Sequence, residues 1–116
     1  MINRLLGCLA FLALAGCAND PAPSEQLRLT EQVVSQALAV GAGEQIAEMQ
    51  LAQEKLAQAQ AAMARQEFKA ARMLAEQAEL DARLAEARVL TYKSQSELTV
   101  LSADIKELRI QLGDLQ

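Results

Sequence analysis

The sequence predicts an all-α fold: an antiparallel helical hairpin or a three-helix bundle with a long, coiled-coil-like C-terminal helix. Composition is the first reason. Ala, Leu, Glu, Gln, Lys and Arg, which lose little conformational freedom on entering a helix, dominate the chain, and there are only five Gly and two Pro. Periodicity is the second reason. Small and apolar residues return every three or four positions through most of residues 25–112. A shortage of bulk is the third. With two Phe, one Tyr and no Trp, seams of Ala and Leu have to serve where a globular domain would use a large core.

The first element is not part of that fold. Arg4 gives residues 1–16 a positive start, Leu5 to Leu14 supply an apolar stretch, and the small residues Ala15 and Gly16 precede Cys17. This is the order of a secretory signal, and the apolar run is well short of the ~20 residues that span a bilayer as a helix. Leu14-Ala15-Gly16-Cys17 resembles the lipobox of bacterial lipoproteins. The resemblance implies transfer of diacylglycerol to the Cys17 sulfur, which needs a thiol. Cleavage before Cys17 follows, by a peptidase that accepts small side chains at the two preceding positions. Cys8 leaves with the leader, so the mature monomer has no disulfide, and the covalent lipid is its expected non-protein group. Ala18, in place of Asp, points to the outer membrane, facing the periplasm, with the inner membrane as the alternative. An ordinary signal peptide cut after Ala15 or Ala18 is the competing reading.

Residues 17–24 hold both prolines and read as a polar tether, with Ser24 placed to cap the helix that follows. Leu27, Val34, Ala37 and Leu38 mark a first helix over about 25–40, and Gly41-Ala42-Gly43 breaks it. A second helix is expected over 44–64, with acidic Glu44 and Glu48 in its first turns. Its seam reads Ile46, Met49, Gln53, Leu56, Gln60, Met63, flanked by Ala52, Ala59 and Ala62. Arg65-Gln66-Glu67 is the expected turn, although a continuous helix remains open because no Gly or Pro marks the place.

The third helix, about 68–112, opens with a packing stripe of Ala71, Ala75, Ala78, Ala82 and Ala85, continued by Val89 and Tyr92. Small side chains at such positions let a second helix approach closely, with Leu74, Leu80 and Leu84 on the flanks. After a polar patch at Thr91, Ser94, Gln95 and Ser96, the residues Leu98, Leu101, Ile105, Leu108, Leu112 and Leu115 form a heptad-like series. Helix 68–112 would run roughly 67 Å, against about 32 Å for residues 44–64. The leucines therefore need either a break near Ser94 that folds the chain back or another molecule to pair with.

Ala57-Gln58-Ala59-Gln60-Ala61-Ala62, the turn at Arg65-Gln66-Glu67-Phe68, Ala70-Ala71-Arg72-Met73-Leu74-Ala75-Glu76-Gln77-Ala78 and Asp81-Ala82-Arg83-Leu84-Ala85 are similar to the family catalogued as domain of unknown function 4398. Its members are short bacterial envelope lipoproteins. The resemblance covers Ala47 to Arg88 and implies an alanine-rich hairpin, comparable to half of a tetratricopeptide repeat, whose turn ends in an aromatic residue. Here Gln66-Glu67 stands where the family often has Gly-Asp or Asp. The family implies an envelope location and no activity.

Several chemistries lack their residues. The chain has no His, and its one cysteine beyond the leader is the expected lipid carrier, so a thiol nucleophile, a metal centre and the commonest general base are not expected. The glycine pair at 41 and 43 has neither the spacing nor the Lys of a phosphate loop. Net charge is −4 with both signs interspersed, which gives no footprint for nucleic acid or anionic lipid. No small-molecule substrate is evident, and no catalytic residue stands out. The expectation is a non-enzymatic, membrane-anchored periplasmic lipoprotein that engages envelope proteins or organises the envelope. The alternative is a coiled-coil spacer that self-associates between membrane and cell wall. The terminal Gly113-Asp114-Leu115-Gln116 offers no Lys for a covalent wall link. An acidic chain with mixed helix faces also suits a membrane-active peptide poorly.

Overall fold

The computed structural model describes residues 20–113. The expected leader, the Leu14-Ala15-Gly16-Cys17 motif, the start of the expected tether and Leu115 lie outside the described residues. Three α-helices follow one another: α1 (Ser24–Ala39), α2 (Ala47–Ala64) and α3 (Phe68–Gly113). α1 and α2 each pack along the first half of α3 and touch one another, so a three-helix head sits at one end of a helix of 46 residues.

Each boundary has a local cause. Pro23 occupies the cap position of α1, and its carbonyl accepts the first intrahelical bond, from the Leu27 amide at 3.0 Å. Ser24 is already helical and its side chain caps nothing, which corrects the expected capping role. α1 ends in a Schellman motif: the Ala42 amide donates to the Ala37 carbonyl at 2.9 Å and the Gly41 amide to Leu38 at 3.0 Å. Gly41 has φ +103°, a conformation glycine adopts freely, and a Cβ there would meet Val89 and Lys93 at the top of the head. The chain then needs residues 43–46 to reverse, so α2 begins at Ala47 rather than Glu44. Ile46 is extended, and the Gln50 side chain donates to the Glu44 carbonyl at 2.7 Å.

α2 ends in the same motif without a glycine. The Glu67 amide donates to Ala62 at 2.9 Å and the Gln66 amide to Met63 at 3.0 Å, with Gln66 at φ +62°. The turn expected at residues 65–67 is therefore present.

The core has two linked parts. Toward the top, Val33, Val34, Ala37, Ala42, Met49, Ala52, Ala82, Ala85 and Val89 pack together. Toward the base, Leu27, Ala59 and Ala75 pack with Met63 and Leu74, and Leu56 touches both groups. Ala71, Ala75, Ala78, Ala82 and Ala85 are all fully buried. The buried line of α2 is Met49, Ala52, Ala59 and Ala62, with Leu56 and Met63 half-buried, so it falls largely on the alanines. Gln53 and Gln60, expected in the seam, are exposed, and Gln60 donates to Glu31 of α1 at 2.7 Å. Alanine facing alanine brings the backbones close, and in that contact a glutamine amide would be buried without a partner.

Polar clamps fix the register. Lys55 of α2 pairs with Asp81 of α3 at 2.5 Å, both partly buried, and Arg88 of α3 pairs with Glu48 of α2 at 2.8 Å. Gln26 and Gln36 of α1 donate to Glu79 and Glu86 of α3, each at 2.9 Å. No buried side-chain nitrogen or oxygen among the described residues lacks a partner.

Candidate functional site

The head closes at Val89 and Lys93. The Lys93 ammonium donates to the Val40 carbonyl at 2.8 Å, placing a positive charge at the C-terminal end of α1. α3 then continues without a break near Ser94, and every residue from Leu90 to Gly113 is exposed. This overhang runs about 36 Å at 1.5 Å per residue. Its hydroxyls do not interrupt it. Thr91 and Thr99 donate to the carbonyls of Ala87 and Gln95, at 2.8 and 2.9 Å, and Ser102 to that of Thr99 at 2.8 Å. Tyr92, expected to continue the alanine stripe, is 71% exposed, because α1 has ended and nothing remains for it to pack on.

The two faces of α3 behave differently along its length. The buried stripe ends at Val89, and farther along the same face Lys93, Ser96, Val100, Ala103, Glu107 and Gln111 are exposed and mostly polar. Leu98, Leu101, Ile105, Leu108 and Leu112 lie about 140° around the helix axis from that stripe, at 3.6 residues per turn. All five are at least half exposed. The apolar seam of the overhang thus faces away from the side that carries α1 and α2.

Counting back from Leu98 in steps of four and three reaches Ser94, Thr91, Ala87, Leu84 and Leu80. Leu80 is 67% exposed and Leu84 48%, so these two do not flank the alanine contact as expected but lie on the outer face. Leu74 does pack against the core. The extended outer face was readable in the sequence as a second seven-residue register, offset from the alanine stripe by two positions. One shallow depression lies along it, bordered by Leu84, Arg88, Thr91 and Gln95; another, bordered by Ser96, Glu97, Val100 and Leu101, lies between the face of the buried stripe and the seam.

The opposite end of α3 holds the segment that enters α1. Arg72 donates to the Pro21 carbonyl at 3.2 Å, which fixes the segment entering α1 beside the first turns of α3. The overhang therefore projects from the end of the head remote from residues 20–23.

Among the described residues no group of three or more Asp, Glu, Cys or His side chains could hold a metal ion. Among them, too, no helix is long and apolar enough to cross a membrane. The carboxylates with displaced protonation equilibria are all explained by neighbouring arginines. Glu25, Glu67 and Glu79 titrate below the ordinary range, held there chiefly by hydrogen bonds from Arg28, Arg65 and Arg83 respectively.

Fold and surface together define an all-α protein whose short three-helix head carries one long overhanging helix. The chain belongs to the family described as domain of unknown function DUF4398, whose model matches residues 25–101. It is similar to a DUF4398 family protein from Pseudomonas aeruginosa PAO1, known from a crystal structure. The two share 58% sequence identity with a TM-score of 0.80, over 83% of this chain and 100% of that one. Among curated proteins none matches the chain.

Proposed function

We propose that the protein is a non-enzymatic lipoprotein of the bacterial cell envelope, anchored through lipid on Cys17, whose helical head presents the outer face of α3 to a protein partner. The observation that carries this reading is the overhang: residues 90–113 are exposed throughout, yet five apolar residues recur there at heptad spacing, remote from the tether. An apolar strip on a charged helix suits helix-to-helix docking. It is poorly explained as surface left bare by chance, because monomeric proteins rarely expose contiguous apolar patches of this kind. The lipobox-like Leu14-Ala15-Gly16-Cys17 supports the anchor. Two or three acyl chains hold a protein durably, since each buried methylene contributes ~0.8 kcal/mol. The outer membrane, facing the periplasm, is the location this reading favours.

Growth of a bacterium expressing the full chain with an alkyne-bearing fatty acid tests the anchor. The expected result is label on the protein and recovery with the outer membrane, with both lost in Cys17→Ala. A photo-crosslinking residue at position 108 should then capture a partner in intact cells, while one at position 86, on the head, should not. Unlabelled protein in the soluble fraction, or equal capture at both positions, would refute the reading.

A further inference from the structure

We propose that the occupant of the outer face is a second copy of this chain, with the two α3 overhangs pairing in parallel and in register over residues 98–112. This rests on the reading of α3 as the presented surface and adds the partner and its orientation.

Three observations select that partner. The first is the face itself. Because the seam lies about 140° from the side that carries α1 and α2, a second α3 approaches without displacing either helix. The second is the heptad content. With Leu98, Ile105 and Leu112 at a positions and Leu101 and Leu108 at d, the central layers hold Ile at a and Leu at d, the choice that favours two parallel strands. Ser94 and Thr91, one heptad earlier, weaken the seam and set its lower limit.

The third observation is charge. In this register Asp104 occupies a g position and Arg109 the e position five residues on. A parallel in-register pair places each g residue beside that e residue of the other copy, so Asp104 of one chain meets Arg109 of the other, twice by symmetry. Both are exposed, and among the described residues neither makes an ion pair within its own chain. An antiparallel pair sets g beside g and e beside e, which leaves Asp104 facing Glu97, Asp104 or Gln111 and Arg109 facing Ser102, Gln95 or Arg109. Parallel pairing also keeps both tethers at the same end, as two lipid anchors in one leaflet require.

The test uses the full chain in membranes, with Leu101→Cys and, separately, Leu108→Cys under mild oxidation, and the parent chain as the control for Cys8 and Cys17. Both positions lie on exposed helix beyond the head, so folding of the head does not depend on them. Parallel pairing predicts a disulfide-linked dimer from each single variant. The yield should fall about tenfold or more when Asp104→Arg is added, since it places like charges against Arg109, and should return with Asp104→Arg/Arg109→Asp. Three results would overturn the proposal: a dimer only from the double variant Leu101→Cys/Leu112→Cys, which reports antiparallel pairing; monomer alone; or a conjugate with a different protein. Fatty-acid labelling of the same samples separates the two readings. Label without dimer rejects the pairing and leaves the anchored module standing, whereas dimer without label rejects the anchor.

Discussion

The hydroxyl of Thr30, fully buried in α1, lies 3.1 Å from the carbonyl oxygen of Ala75 in α3 and 2.9 Å from that of Gln26 in its own helix. One proton is thus shared between two carbonyls, and a helix-internal bond doubles as a tie between helices. Both acceptors belong to helical backbone, so neither is stranded when the hydroxyl is removed. Thr30→Val keeps the shape and should cost about 1 kcal/mol. Thr30→Leu adds bulk where Ala75 leaves no room and should cost more. Urea melts of residues 18–116 followed by circular dichroism measure both, and equal losses would show that the hydrogen bond, not the space, matters there.

The alanine stripe sets the distance between helices. Ala82 is fully buried against the upper core, so Ala82→Leu forces the helices apart and should cost about 1–3 kcal/mol. The same change at Ala87, on the outer face, should shift stability by less than about 0.5 kcal/mol. Thermal melts of the two variants side by side make the comparison.

Gln66 sits at φ +62° with its side chain exposed. A non-glycine residue in that region costs roughly 1–2 kcal/mol, partly offset on substitution by the greater freedom of glycine when unfolded. Gln66→Gly should therefore stabilise the head by up to about 1 kcal/mol, and Gln66→Val, β-branched, should destabilise it. Midpoints of urea unfolding decide; a destabilised Gln66→Gly would mean that the turn depends on the glutamine side chain.

Glu79 links acid sensitivity to the α1–α3 contact. Its carboxyl is held below the ordinary value of 4.5, first by the hydrogen bond from Arg83 and, against desolvation, by that from Gln26 and the charge of Arg83. A carboxyl with a lowered folded value stabilises above its unfolded value, and that contribution is lost as pH falls through the folded value. Melting temperature should therefore drop as pH is taken down through and below 4.5. Glu79→Gln should be less stable than the parent at neutral pH, with the difference closing at the acid end. A difference that stayed constant with pH would assign the loss to packing.

The outer seam should be dispensable for the head. Leu101→Asp and Leu108→Asp lie on exposed helix beyond Val89, so at high dilution each should leave the unfolding midpoint of the head within error of the parent. Light scattering at rising concentration should separate them from the parent if copies pair through this face.

Much of the head was legible in the sequence for one reason: its contacts repeat with the helix period. Ala71, Ala75, Ala78, Ala82 and Ala85 are small residues on one line, and small residues on one line predict close approach. Gly41 likewise announced its turn, since a left-handed residue after a helix is most often glycine. The turn at Gln66 carries no such mark, and only the family resemblance argued for it. Gln53 and Gln60 show where spacing misleads. A heptad frame drawn through Met and Leu placed them inside, but the tight alanine contact rotated α2 and left them in water.

The sequence by itself determined the all-α class and the buried alanines of α3, because local propensity and period are properties of neighbouring residues. It also singled out Leu98, Leu101, Ile105, Leu108 and Leu112 as a strip in need of cover. Only the tertiary structure decided which way that strip faces. The direction depends on the angle between it and the alanine stripe, on where α1 ends against Val89 and Lys93, and on α3 running unbroken past Ser94. Those are relations between distant segments. A period read along one helix fixes where a side chain lies on that helix, and packing alone fixes what stands opposite it.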